Sequence, residues 1–129
     1  MLPQNDKDVL IARSLEHTIS AEGGMTCIVI RNYPIPEGLN CYAADLLLRL
    51  SAGYPDVPPD MWWFSPSIGR PDGQPIAATQ HQEVHLGRQW QRWSRHLAPG
   101  VWKSGIDSLE SYLTLVDREL RSAAVLKAA

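Results

Sequence analysis

Cysteine is scarce in this chain: Cys27 and Cys41 are the only two, and none follows position 41. Beyond that point a nucleophile must be something other than a thiol, and a thiolate-rich zinc site is excluded. There is no basic run, and the net charge of −2 gives no electrostatic footprint for nucleic acid. Long apolar runs are also missing. The best candidate, residues 43–50, carries Asp45 and Arg49, so no membrane span or membrane association is expected. The N-terminus lacks a basic segment followed by an apolar core, so no export signal is expected. A cytoplasmic location with reduced cysteines follows as the expectation, and both thiols are read as buried apolar residues of the strands they lie on or beside.

What the chain does have is the ordinary substance of one domain, residues 1–129, with 44% hydrophobic and 20% charged residues. Its aromatic content is concentrated. Residues 53–66 read Gly-Tyr-Pro-Asp-Val-Pro-Pro-Asp-Met-Trp-Trp-Phe-Ser-Pro, with Tyr54, Trp62, Trp63 and Phe64 between four prolines. Proline fixes φ, removes a donor and pushes its predecessor toward extended conformations. The segment is therefore expected to be a stiff, extended crossing that ends in a short strand at residues 60–64.

Around it the expected elements are short. Asn5 or Asp6 can cap a helix ending near Ser14. Residues 15–21 alternate loosely as a first strand, Gly23-Gly24 signals a hairpin, and residues 25–31 are β-branched and apolar. Pro34, Pro36 and Gly38 mark the next turn. Residues 42–50 are a third strand, with helix left open by their Ala and Leu content. Short turns between neighbours favour an antiparallel meander. Residues 67–80, rich in Gly and Pro, read as a loop. Leu109, Leu113, Val116 and Leu120 fall at helical spacing behind Asp107 or Ser108, giving a helix to about Leu126.

The chemistry concentrates in residues 87–96, Gly-Arg-Gln-Trp-Gln-Arg-Trp-Ser-Arg-His. Two tryptophans and three arginines there fit a wrap packed on the core with stacked or solvated cations. Ser94 and His96 add another possibility. A serine hydroxyl becomes a nucleophile when a base takes its proton, an imidazole serves near neutral pH, and Arg92 or Arg95 can stabilise a developing oxyanion. A metal site is a separate class. His81 and His85 share a face if the segment is helical, and His96 is a possible third ligand. Glu83 would then point elsewhere, and no further ligand completes the set. Solvated loop histidines account for the pair, and His17 for a strand surface. A third class, a peptide-binding module built on the proline-rich crossing, predicts that Ser94→Ala leaves function intact.

Tyr54-Pro55, two residues, then Pro58-Pro59 and an aromatic strand resembles the Tyr-Pro-x-x-Pro-Pro signature of the ubiquitin-conjugating (UBC) fold. Val101-Trp102-Lys103-Ser104-Gly105 ahead of a leucine-rich helix is similar to the family's Trp-Ser-Pro and following helix. Ser94 lies eight residues before Trp102, where the resemblance implies the catalytic cysteine. The family's His-Pro-Asn tripeptide is absent, Arg70-Pro71-Asp72 being its nearest echo. The whole resembles the divergent bacterial branch called prokaryotic family E. The resemblance implies an α+β domain: an N-terminal helix, a four-stranded antiparallel meander, an irregular active-site segment and a C-terminal helix. It implies that Tyr54, Pro55, Pro58 and Pro59 shape the floor of the site and that Trp102 is core. It further implies a transferase accepting an activated ubiquitin-like C-terminus on Ser94 as an oxyester, with His96 as base or orienting group and Arg92 or Arg95 as carboxyl stabiliser. The partners implied are a ubiquitin-like protein, an activating enzyme and an associated peptidase, and no cofactor is required. The alternative within the family is an inactive variant that only binds the ubiquitin-like protein or its activating enzyme.

Overall fold

The computed structural model describes residues 2–125. Helix α1 (Gln4–Ala12) is followed by strands β1 (His17–Glu22), β2 (Met25–Pro34), β3 (Ala43–Leu50), β4 (Trp62–Ser65), β5 (Gln82–His85) and β6 (Arg88–Trp93), and the chain ends in helix α2 (Leu109–Ala123). The strands form one antiparallel sheet in the order β1-β2-β3-β4-β6-β5. The expected meander is present as β1 to β4, and it is extended by a hairpin. The expected four strands are therefore six among the described residues, and much of the supposed irregular active-site segment is regular sheet.

The reason lies in two turns. Gly23 and Gly24 both have positive φ, 60° and 78°, the geometry of a two-residue hairpin that glycine adopts without steric cost. The β5–β6 turn uses the same geometry, with Leu86 at 55° and Gly87 at 70°. Leucine is a poor residue for that position, so Leu-Gly does not announce a hairpin as Gly-Gly or Asn-Gly does.

Alternation along each strand makes two cores, because successive strand side chains point to opposite faces. Ile28, Ile30, Leu46, Leu48, Trp62, Phe64 and Trp93 pack beneath Leu109, Tyr112, Leu113, Val116 and Leu120 of α2, with Leu10 of α1 in the same cluster. Cys27, Leu47, Trp63 and Trp90 form a smaller cluster on the other face. Both cysteines are free; Cys27 is fully buried as expected, but Cys41 is only half-buried. The strand beginning at Ala43 leaves Tyr42 outside the ladder and exposed.

The ends of α1 depart from the sequence expectation, whereas α2 starts at the expected Ser108. Helix α1 starts behind Pro3, so Asp6 sits inside its first turn. Its carboxylate instead accepts from the backbone N–H of Leu109, the first residue of α2, at 3.0 Å and from the Tyr54 hydroxyl at 2.6 Å. Helix α2 starts behind Ser108, whose N–H donates to the Ser111 hydroxyl at 2.9 Å, and it ends at Ala123. The expected terminus at Leu126 lies outside the described residues.

The Tyr-Pro segment joins β3 to β4. Its first half is not extended: residues 51–57 wind through turns closed by Tyr54 N–H to Ser51 O at 3.1 Å and Val57 N–H to Gly53 O at 2.8 Å. Trp102 packs against the core edge half-buried, with its indole N–H donating to the Pro55 carbonyl at 2.8 Å. This bond ties the loop before α2 to the proline crossing.

Candidate active site

Strand β6 sorts the dense Arg/Trp segment by parity. Gln91 and Trp93 turn toward the helices and are buried. The Gln91 amide accepts from the Ile68 N–H and the Trp93 indole and donates to the Ile68 carbonyl, which leaves a buried polar group satisfied and the strand fixed. Trp90 and Arg92 turn to the open face, Trp90 into the smaller cluster.

Ser94 leaves the strand just beyond Arg92. It is half-buried, and its backbone N–H donates to Ala78 O at 3.0 Å. Its hydroxyl oxygen accepts from Nε of Arg92 at 3.0 Å. The same guanidinium donates through Nη1 to Glu83 at 2.8 Å. Arg92 and Ser94 are therefore brought together.

The other two sequence candidates are engaged elsewhere. Arg95 donates through Nε to Glu119 of α2 at 2.7 Å and through Nη1 to the Ala77 carbonyl at 2.8 Å. His96 is exposed, with its Nδ1 2.6 Å from Asp60 Oδ1. A carboxylate only accepts, so Nδ1 carries the proton and Nε2 is left as the basic nitrogen. The Ser94 hydroxyl and the His96 imidazole are not hydrogen-bonded to each other.

Asp60 and Glu83 are the site residues that sequence reasoning missed. Asp60 is 36 residues from His96, and no spacing rule joins them. Helical spacing would turn Glu83 away from His81 and His85, but these residues lie on and just before strand β5. On a strand, His81, Glu83 and His85 share one face, and Glu83 sits at the centre. It accepts from the Trp63 indole at 2.9 Å, lies 2.9 Å from His85 Nε2 and 3.6 Å from His81 Nε2, and pairs with Arg92. Beside this cluster lies an open groove of about 630 Å³, lined in part by Arg49, Asp60, Met61, Trp63, Glu83 and His85. Among the described residues no group of three or more His, Cys, Asp or Glu side chains has an arrangement that could hold a metal ion.

Burial pushes the Glu83 carboxyl up, but the bonds from His85, Trp63 and Arg92 outweigh it and hold it below its ordinary value. A depressed folded-state pKa means that the unfolded chain takes up the proton first as pH falls. The stabilisation is complete above the ordinary glutamate pKa and is lost as pH falls through the depressed folded value. Glu83→Gln is accordingly expected to flatten the acid limb of stability between about pH 5 and pH 3 in urea unfolding. An acid limb identical to that of the unaltered chain would contradict this role.

Cys41, the more accessible thiol, is a poor nucleophile: burial pushes its pKa up, against a smaller opposite effect of the Ala43 backbone. His17 lies at the start of β1 with its ring against the Leu15 carbonyl, far in topology from the cluster.

A helix, an antiparallel meander with the Tyr-Pro crossing between its third and fourth strands, and a C-terminal helix laid on the sheet together define a UBC-like α+β domain. The chain belongs to prokaryotic E2 family E, which matches residues 2–123. No curated protein and no solved structure matches it. Membership suggests a role in ubiquitin-like protein conjugation, and the family implies in general a ubiquitin-like protein and an activating enzyme as partners. No described helix is long and apolar enough to cross a membrane.

Proposed function

We propose that this protein is a transferase that carries an activated ubiquitin-like C-terminus on Ser94 as an oxyester. The observation that carries this is the Arg92 Nε–H donated to the Ser94 hydroxyl at 3.0 Å, from a guanidinium itself anchored on Glu83. A fixed cation at the hydroxyl oxygen stabilises the alkoxide and the oxyanion that forms when the hydroxyl attacks a carbonyl.

In the first half-reaction the Ser94 Oγ bonds to the acyl carbon, and the bond from that carbon to the activating partner's carrier atom breaks. The hydroxyl proton passes to Nε2 of His96, whose ring is oriented by Asp60, and from there to the departing group. In the second half-reaction an acceptor nucleophile takes the acyl group and Ser94 regains its proton. An oxyester withstands thiols and is less reactive toward amines than a thioester. A base is therefore worth more here than it would be beside a cysteine. Arg95, held by Glu119 and Ala77, serves in this scheme as an anchor that fixes the strand exit against α2.

One feature favours the second possibility, a non-catalytic module that binds the ubiquitin-like protein or its activating enzyme. His96 is turned to Asp60, not to Ser94. A charging assay separates the two. With an activating enzyme, a ubiquitin-like protein and ATP, the expected product is an adduct that survives thiol, breaks in mild base and is absent in Ser94→Ala. No adduct while the activating enzyme itself charges would favour the binding module. An adduct lost with thiol would move the chemistry to a cysteine.

A further inference from the structure

We infer that Glu83 is a positioning residue for the transfer: it holds the Arg92 guanidinium in the one orientation that aims Nε at Ser94. The inference rests on the Ser94 chemistry proposed above and concerns a residue that never meets the acyl group.

The geometry is a relay across three strands. Trp63 on β4 and His85 on β5 clamp one carboxylate oxygen of Glu83, each at 2.9 Å. The other oxygen takes Nη1 of Arg92 on β6 at 2.8 Å. Arg92 then has Nε left over for Ser94 at 3.0 Å. A free arginine has many rotamers, and holding it in one removes that freedom before the reaction begins. The groups that hold the carboxylate are themselves packed: Trp63 is buried in the open-face cluster and meets His85 edge-on with ring centroids 5.2 Å apart. The charged and titratable groups that face Glu83 are Arg92, His81 and His85, and Glu22 stands behind His85 at 3.7 Å.

Two roles for Glu83 make opposite predictions. If it only neutralised Arg92, removing its charge would leave a bare cation beside Ser94 and raise the reactivity of the hydroxyl. If it positions Arg92, removing the charge frees the guanidinium and reactivity falls. In the charging assay, Glu83→Gln is expected to lower the maximal rate about 100-fold. The concentration of charged activating enzyme giving half-maximal rate should stay unchanged. Glu83→Asp keeps the charge but is too short to reach both Trp63 and Arg92, so it should also be slow. A Gln or Asp variant at the unaltered rate, or a faster Gln variant, overturns the role of Glu83 and leaves Ser94 standing. Persistence of the adduct in Ser94→Ala overturns the Ser94 chemistry instead.

A second readout needs no partner protein. Ser94→Cys in a Cys41→Ser background leaves Cys27, which is fully buried, as the only other thiol. Alkylation across pH then reports the thiol at position 94. With Glu83 present its pKa is expected below the ordinary cysteine value of about 8.5, and Glu83→Gln should raise it. A thiol pKa that falls or does not move in Glu83→Gln overturns the inference even if charging is never observed. Circular dichroism of each variant confirms that the sheet is intact.

Discussion

Arg92→Ala is expected to slow adduct formation by about 100-fold or more, the loss typical of removing one donor aimed at a developing oxyanion. The side chain makes both of the bonds that define the site, one to Ser94 and one to Glu83. Without it the hydroxyl keeps an ordinary serine's reluctance to ionise, and Glu83 loses its cation. Arg92→Lys should recover little, because a single ammonium on a flexible stem cannot present two donors at a fixed separation. The measurement is the single-turnover rate of adduct formation, with circular dichroism melting to separate rate from folding. Arg92→Ala charging at the unaltered rate would remove the cation from the mechanism and leave the His96 base as the one activating group proposed for Ser94.

The largest effect on stability is expected at Asp6. Its side chain is buried, and its two oxygens join three parts of the chain: α1, the Tyr-Pro segment through Tyr54, and the first residue of α2 through the Leu109 N–H. Asp6→Ala leaves a half-buried hydroxyl and a buried backbone donor unpaired and takes a negative charge from the N-terminal end of α2. The expected loss is about 3 kcal/mol or more, read from the urea midpoint at constant slope. Tyr54→Phe removes one of these bonds and should cost about 1–1.5 kcal/mol. The double variant should lose less than the sum, because both changes act on the same bond. Additive losses would show that the Asp6–Tyr54 contact contributes nothing. Burial, reinforced by the Asp6 bond and its charge, pushes the Tyr54 phenol far above its usual range, which keeps its hydroxyl a donor to Asp6.

The same contact explains what the Tyr-Pro signature does here. Tyr54 reaches α1 through Asp6, and Pro55 offers its carbonyl to Trp102. Pro59 is buried, and the strand that follows begins after Met61, which has a φ of 61°. That left-handed conformation is rare for methionine and is held from both sides. The Met61 N–H donates to Arg95 O at 3.2 Å, and the Tyr112 hydroxyl donates to Met61 O at 2.8 Å. The crossing, the strand exit that carries Ser94 and the C-terminal helix are thereby locked to one another. This is how a signature remote from Ser94 in sequence comes to support the site.

By itself the sequence determined the parts that depend on local physics. Gly23-Gly24 admits one kind of turn, the β-branched run of residues 25–31 one kind of element, and the spacing of Leu109, Leu113, Val116 and Leu120 one buried helix face. The family was also legible, because prolines and tryptophans at fixed intervals are rare enough to carry it. The β5–β6 hairpin was hidden because its turn is Leu-Gly and its strands are polar. Their stability comes from pairing with β4 and from Trp90 in the open-face cluster, not from local propensity. The partners of the site were hidden for a related reason. Glu83 meets Arg92 because neighbouring strands set side chains of the same parity on one face, and Asp60 meets His96 because a proline crossing and a strand exit converge. Only the paired sheet fixes which charge stands beside which, because a hydrogen bond between distant residues leaves no period in the chain that carries it.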